Sequence, residues 1–497
     1  MEGKDLSMKE ICIVGAGLGG LSAAIRLQSH GYQVTVIEKN GHAGGKMMPV
    51  KLGEYHFDFG PNTITMPWVF RDVLKGTGFD LNDYLSFIRI ERHTKNIFSD
   101  GTVFTQSVHP DEMVKQLNEI DPKAASLYWD YLKEIERLYS ISEKAFFPKA
   151  ITSLRDFLDP AMAKAFMRVR PFEKLYKFNQ KYFSNPNIQM VFNRYATYIG
   201  SSPYQSPATF AMIGYLEMVS GVFTVKGGNT KIAEAFEDVF RKLGGKIIYN
   251  EIVHEITVDR KYAQTLVTES GRSFHFDQVI INGDYVTSTK NLIKESDRPG
   301  LTDQQLDQYE PSISAFVILA GLKEFQPDIH HHQVYFPQHY RQEFEDIFIN
   351  RKMPDDPTIY ISHSAFTDRS VTKGSNLFIL VNAPAAEIPD IHSYKEKIYR
   401  TLEKKGIPIS EQLECEKVFT PDSLKQLFKA YKGSIYGISS NSMKDAFLRP
   451  GNKSRFVHNL YYTGGSTHPG GGSPMVVMSG LNVADSIIKE NGSFRLK

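Results

Sequence analysis

The 497-residue sequence has only two cysteines, Cys12 and Cys415, far apart and each on an apparent strand. That scarcity excludes a disulfide framework and a thiolate metal cluster, and it fits a reducing, cytosolic compartment. Net charge is also nearly absent: 58 Lys and Arg against 56 Asp and Glu leave +2, so there is no global cationic field to hold nucleic acid. No run of about eighteen uninterrupted apolar residues occurs, which argues against a spanning helix and leaves surface attachment to a membrane open. The short charged start, MEGKDLSMKE, leads into a strand with turn chemistry, so no secretion signal is expected. HExxH, CxxC, GxSxG with triad partners and the GxxxxGKS/T loop are all missing, which removes the usual metalloprotease, hydrolase and phosphate-transfer readings. His330, His331 and His332 are adjacent; an uninterrupted triplet is expected on a solvent-exposed loop, and no metal is expected. What is present is the balance of a folded protein, 41% hydrophobic and 23% charged, with length for two or more packed units.

The run KEICIVGAGLGGLSAAIRLQSHGYQVTVIEKNGHAGGK predicts a βαβ opening: a buried strand over 11–14, a helix over 21–28 stopped by Gly31, and a second strand over 34–37. Residues 53–61 read as a hairpin or turn and 103–107 as a short strand-like run. Over 110–219 the pattern turns helical, with EMVKQLNEI, AASLYWDYLKEIERLYSI and AFMRVRPFEKLYKFNQ as the clearer helices, all rich in Phe, Tyr, Met and Leu. A packed helical cap explains this richness, and so does a lid over an apolar substrate or a face that dips into a bilayer. A glycine turn, a helix over 231–243, strands near Ile247 and Ile252 and a strand over 278–281 then return to the style of the opening. AFVILA, TIYISH and LFILVNAP predict a sheet-bearing second domain. The closing NLYYTGGSTHPGGGSPMVVMSGLNVADSIIKE reads as strand, glycine-rich loop and helix, rejoining the first domain. The division expected is 1–109, 220–290 and 431–497 for a nucleotide-binding domain, 110–219 for the cap and 291–430 for the second domain.

Gly15, Gly17 and Gly20 form GxGxxG between the first strand and helix. Gly15 permits the turn, Gly17 lets backbone approach a diphosphate, and Gly20 allows close packing of helix on strand. The helix start offers free amides and the positive dipole end. Glu38, 18 residues beyond Gly20, ends the second strand, where a carboxylate accepts from a ribose hydroxyl pair. Gly44, Gly45 and Lys46 add a second glycine cluster and a cation suited to a diphosphate. This cluster points to a flavin over a nicotinamide, a choice that spacing alone does not make. In GGSTHPGGGSPMVV, Gly470, Gly471 and Gly472 either form a loose surface loop or lead into a helix near Met475 whose amides face the electron-rich end of a reduced flavin. His468 reads either as an acid or base or as a polar residue holding the glycine turn.

With these residues in view, the chain resembles the FAD-dependent amine oxidase and phytoene desaturase superfamily, and more narrowly the bacterial carotenoid desaturases and oxygenases. The resemblance is carried by IVGAGLGGLSAAIRLQSHGYQVTVIEKNGHAGGK, HFDFGPNTITMP, YIGSSPYQSPA, GVFTVKGGNTKIAEAF and YYTGGSTHPGGGSPMVVMSG, which together span residues 11–480. It implies an α/β fold: a Rossmann-like FAD-binding domain, a sheet-bearing substrate domain and a helical, membrane-associating cap. It implies that Gly15, Gly17, Gly20, Glu38, Gly45 and Lys46 line the ADP half of FAD, with Val253 on the adenine side. Gly60, Pro61 and Asn62 would approach the isoalloxazine, and Gly465, Pro474, Met475 and Val476 would complete the flavin pocket.

The implied substrate is a long isoprenoid or carotenoid, bound mainly through apolar area. Burial contributes roughly 25 cal/mol per Å², and FMRVRPFEKLYKF and VFNRYATYI are candidates for the tunnel wall, their Arg and Lys turned to lipid headgroups. The implied location is peripheral, on the cytoplasmic face of the cell membrane, with dioxygen or a quinone as electron acceptor. Two reactions fit the resemblance: oxidation of a terminal methyl of a C30 diapocarotenoid to an aldehyde, and desaturation of diapophytoene or phytoene. Ile435 and Tyr436, where desaturases more often carry Ala and Phe, favour the first. Arg194, Tyr195, Thr467 and His468 are the candidates for catalysis at the substrate end. A non-catalytic carotenoid-binding flavoprotein and a soluble amine oxidase are the alternatives of other classes.

Overall fold

The structure, a computed structural model, describes residues 9–149 and 154–492. Its first layer is a five-stranded parallel sheet, ordered Leu460–Thr463, Gln278–Asn282, Glu10–Val14, Gln33–Ile37, Lys246–Ile248. Ile11, Cys12 and Ile13 are wholly buried, as a central parallel strand covered on both faces requires. Strands from the beginning, middle and end of the chain therefore complete one parallel sheet. The hairpin Met48–Leu52 with Tyr55–Phe59 is tied to it through Asp58, whose buried carboxylate accepts from the amides of Asn229 at 2.8 Å and Thr230 at 3.3 Å at the start of the helix Lys231–Lys242.

The first helix runs over Leu18–Gln28 and the terminal helix over Ser473–Asn491, so both begin earlier than the sequence pattern indicates. Gly19 and Gly20 are poor helix formers, but tertiary contact reverses the preference. A Cβ on Gly20 would stand 2.3 Å from the Gly15 carbonyl oxygen, and one on Gly480 would stand 2.1 Å from that of Gly19. The two helices cross backbone to backbone at this point.

The second layer is a seven-stranded sheet ordered Leu413–Phe419, Ser314–Leu322, Ser375–Ala383, Ile359–His363, His332–Tyr335, Thr94–Ile97, Val103–Gln106. Ser314–Leu322 is buried at every position. The pairing is antiparallel except between His332–Tyr335 and Thr94–Ile97, which run parallel. Thr94–Ile97 and Val103–Gln106, assigned from sequence to the nucleotide-binding part, thus form the edge of the second sheet. Pairing geometry, which a single strand does not announce, decides the assignment.

The helical segment comprises Pro110–Ile120, Pro122–Ala145, Pro160–Arg168, Leu175–Asn179 and Pro186–Asn193. AFMRVRPFEKLYKFNQ is not one helix. Arg170 takes φ 56° before Pro171, whose ring disfavours helical backbone in the residue preceding it. Much of the aromatic richness is spent inward: Tyr131 packs against Phe178, Tyr182, Phe183 and Phe192, and the Phe183 and Phe192 rings stack at 3.9 Å. Arg170 bonds Glu134 at 2.7 Å and Glu173 at 3.0 Å, so this cation is spent within the cap. Among the described residues no helix is long and apolar enough to cross a membrane.

Gly480→Ala tests the helix crossing. In an isolated helix the change stabilises by about 1 kcal/mol; here the added methyl meets backbone, and a net loss of about 1–3 kcal/mol is expected in urea unfolding. A raised unfolding midpoint would show that the helices do not approach this closely.

Candidate active site

The glycine turn after the first strand is built by close backbone approach. Gly15 has φ +105°, and its amide donates to the Ile37 carbonyl at 2.8 Å. A Cβ there would stand 2.5 Å from the Asn282 carbonyl oxygen. The Gly44 amide donates to the Ala16 carbonyl at 2.8 Å, bringing the second glycine cluster against the first. Glu38, 5% exposed, receives the Ala16 amide at 2.7 Å on one oxygen and the Asn40 amide at 2.9 Å on the other. Its carboxylate is thereby fixed at the mouth of the turn, with lone pairs left for another donor.

A second cradle forms at the chain's other end. The strand Leu460–Thr463 passes into Gly464 with φ +121°, then Gly470 with φ +132° and Gly472 with φ +104°, and the terminal helix begins. Neither that helix nor the first has a capping side chain or an acidic residue in its first turn. Two helix ends with free amides open on the same cavity.

That cavity measures about 680 Å³, and its lining is of mixed character. Glu38, Glu251 and Val253 line one part, the two glycine cradles another, and side chains of two origins an apolar part: Phe210, Ile213 and Leu216 from the helical segment, Val317, Phe378 and Leu380 from the second sheet. The donor set fits FAD. Uncapped helix ends accept a diphosphate, a fixed carboxylate accepts ribose hydroxyls, and backbone without side chains leaves room for a flat ring.

Of the residues singled out from sequence, Gly15, Gly17, Glu38, Gly45, Lys46, Gly60, Pro61, Asn62, Val253, Gly465, Pro474, Met475 and Val476 line this one cavity. Gly20 does not; it sits one helical turn in, pressed on the Gly15 carbonyl, and serves packing. The Lys46 ammonium donates to the carbonyls of Ile435 and, at 3.4 Å, Ser434. Burial lowers it to about 8 against the pull of Asp284. Its cation is engaged with that loop, which the sequence pattern did not indicate.

The substrate-end candidates separate. Arg194 lines the cavity. Tyr195 points into the aromatic core, where its hydroxyl accepts from Gln106 at 3.0 Å. Thr467 is wholly buried and donates to the Gly464 carbonyl at 3.2 Å. His468 donates from Nε2 to the Phe147 carbonyl at 3.2 Å, while its own carbonyl accepts from Asn452 at 2.9 Å and Ser479 at 2.8 Å. Tyr195, Thr467 and His468 do not line the cavity; His468 holds the glycine turn. The histidine triplet also differs from expectation. His331 and His332 are 2% and 1% exposed, because His332 opens an interior strand and its Nδ1 meets the Tyr360 hydroxyl at 2.8 Å. Among the described residues no group of three or more His, Cys, Asp or Glu could hold a metal ion.

One cavity-lining residue, Asn282, and one buried carboxylate behind the wall, Glu217, were legible but not singled out. Asn282 ends the strand Gln278–Asn282 and donates from Nδ2 to the Gly15 carbonyl at 2.9 Å; a polar residue closing the buried run QVIIN was the signal. Glu217 is wholly buried and stood out as a lone carboxylate in FAMIGYLEMVSGV.

Burial lowers His468 to about 4, so the imidazole is neutral wherever an ordinary histidine titrates, about pH 5–8. His468→Gln is therefore expected to leave the shape of the pH–rate profile unchanged over that range while lowering the unfolding midpoint. Loss of a titrating limb would reinstate His468 as an acid or base.

Comparison with known proteins agrees with this geometry. The model of the flavin containing amine oxidoreductase family matches residues 18–488. The 1-hydroxycarotenoid 3,4-desaturase of Flavobacterium sp. strain P99-3 is 32% identical over 97% of this chain and 100% of its own length. The 4,4'-diapolycopene oxygenase of Methylomonas sp. is 29% identical over 97% of this chain and 98% of its own. Among solved structures, putrescine oxidase bound to putrescine superposes with a TM-score of 0.64 at 13% identity, covering 97% of this chain and 99% of its own. Cyclohexylamine oxidase from Brevibacterium oxydans IH-35A gives 0.62 at 15% over the same shares; at such identities the likeness is one of fold. The chain is a flavin-dependent oxidoreductase and belongs to the flavin-containing amine oxidoreductase family.

Proposed function

We propose that this enzyme oxidises a terminal methyl group of a C30 diapocarotenoid to an aldehyde. The observation that carries the reading is the continuity of one cavity from the dinucleotide cradle to an apolar part walled by both layers. A long hydrocarbon gains affinity there at roughly 25 cal/mol per Å² buried, without charged partners. A relative named as a diapolycopene oxygenase over nearly full length supports the same substrate class.

In this reading Gly15, Gly17 and Gly45 let backbone approach the diphosphate, Glu38 accepts from the ribose, and Val253 packs beside the adenine. Gly60, Pro61 and Asn62, with Gly465, Pro474, Met475 and Val476, would hold the flavin ring. When bound, FAD supplies a two-electron acceptor for hydrogen leaving a C–H bond. The residues of this chain orient the methyl end and exclude water. Overall, a methyl and one dioxygen give an aldehyde and one water, so dioxygen is both oxygen source and oxidant.

Ile435 and Tyr436 line the cavity, and a Cβ on Gly471 would stand 2.5 Å from the Tyr436 ring; these residues shape the space against the terminal glycine loop. Desaturation, with a quinone or dioxygen as acceptor, is the second reading, favoured by the 32% identity to a carotenoid desaturase. An insoluble substrate calls for delivery from a membrane. Leu158, Met167 and Phe172 of the helical segment, 81%, 63% and 64% exposed, support a peripheral attachment through the cap on the cytoplasmic face.

The test is turnover of FAD-loaded enzyme in liposomes with diapolycopene or diapophytoene under isotopically labelled dioxygen. The expected product carries labelled oxygen at a terminal carbon and forms only aerobically. Loss of hydrogen pairs with no oxygen gained would establish the desaturase reading.

A further inference from the structure

Arg194 is a buried cation with unspent donors on the cavity wall, beside Tyr198 and Tyr360. It follows the helix Pro186–Asn193 and opens the turn Arg194–Ile199, at the junction of the helical segment with the second sheet. Its side chain donates one hydrogen bond to protein, from Nη2 to the Tyr198 hydroxyl at 3.2 Å. Tyr198 in turn donates to Oε1 of Glu217. Among the described residues no ion pair joins Arg194 to Glu217 or to any other carboxylate, and Nε and Nη1 meet no acceptor. The guanidinium lies over the rings of Tyr198 at 5.3 Å and Tyr360 at 5.8 Å, and the Tyr360 hydroxyl is engaged with His332.

Arg194 is only 8% exposed and lines the cavity, so the donors left over by Tyr198 face the cavity, where an occupant that displaces water and offers no acceptor would leave them unpaired at a cost. Glu217 balances the charge at one remove, through Tyr198, and leaves the donors free for whatever fills the cavity. A hydrocarbon cannot use them. An acceptor oxygen can, and conversion of a methyl to an aldehyde passes through a chain end that bears one.

We infer that Arg194, backed by Tyr198 and Glu217, is a specificity site for an oxygen on the substrate's end group, so that a terminal hydroxyl or carbonyl binds more tightly than the methyl it replaces. The inference rests on the carotenoid reading above. It explains how a half-oxidised chain end stays bound until it becomes the aldehyde. Arg194 acts here as a binding residue, and Tyr198 and Glu217 as positioning residues. The other acceptor that fits the same chemistry is a carbonyl oxygen of the flavin ring, and the test separates the two.

FAD-loaded wild-type enzyme in liposomes is assayed with diapolycopene and with the same chain bearing one terminal hydroxyl. The expected KM for the alcohol is lower by about tenfold or more, as a charge-assisted hydrogen bond provides. Arg194→Met with Glu217→Gln removes both charges together, avoiding a lone buried ion. This double variant is expected to bring the two KM values within about twofold of one another. Tyr198→Phe, a milder change, should lower the preference part of the way. Equal KM values in the wild type overturn the inference, whether or not the double variant folds. So does a double variant that keeps the preference but alters the substrate-free flavin spectrum, which assigns Arg194 to the flavin. If neither carotenoid turns over, both the inference and the carotenoid reading fail; turnover of both with equal KM overturns the inference alone.

Discussion

The side-chain amide of Asn282 is the contact on which the site depends. It closes the strand next to Glu10–Val14, donates to the Gly15 carbonyl at 2.9 Å, and stands where side chains on Gly17 and Gly20 would have to go, 3.0 and 2.7 Å from their would-be Cβ atoms. A neutral amide suits this position. It satisfies a carbonyl that the tight turn leaves without a ladder partner, and it brings no charge to a region prepared for a diphosphate. With the turn locked, the first helix presents its free amides, Glu38 is fixed by the Ala16 and Asn40 amides, and the glycines at 44 and 45 close on the glycines at 15 and 17.

From that point the cavity follows from what is missing. Backbone at Gly15, Gly60, Gly464 and Gly472 adopts φ values between +104° and +121°, which side chains rarely tolerate; at Gly15 and Gly60 the place of a Cβ is taken by neighbouring backbone, and at Gly472 it is open. The second layer supplies the rest. Its sheet turns Val317, Phe378 and Leu380 into the same space that Phe210 and Leu216 enter from the helical segment. A polar cradle and an apolar wall are thus brought together by packing two layers, one suited to anions and the other to hydrocarbon.

Much of this was legible in the chain. GxGxxG, Glu38, the second glycine pair and the terminal glycine loop were readable because each needs a particular residue type for a local backbone reason, and the structure gathers nearly all of them around one cavity. The strands 314–322 and 375–383 were readable as apolar runs. What escaped depended on distant partners. Gly20 keeps the packing role read from its spacing and not the cofactor contact that the resemblance implied; Tyr195, Thr467 and His468 look polar and available until their bonds to Gln106, Gly464 and Phe147 are known. The histidine triplet was misread because strand pairing buries His332, and no periodicity marks that. Glu217 was visible as a carboxylate in an apolar run, but its meaning required Tyr198 and Arg194 beside it.

The central claim is that bound flavin and a carotenoid share one cavity. Anaerobic mixing of the FAD-loaded enzyme with diapolycopene in liposomes, followed by absorbance, tests it most directly. The account predicts a shifted oxidised-flavin band with carotenoid and an unchanged band with a primary amine such as putrescine. Bleaching by the amine and no shift with the carotenoid would contradict it.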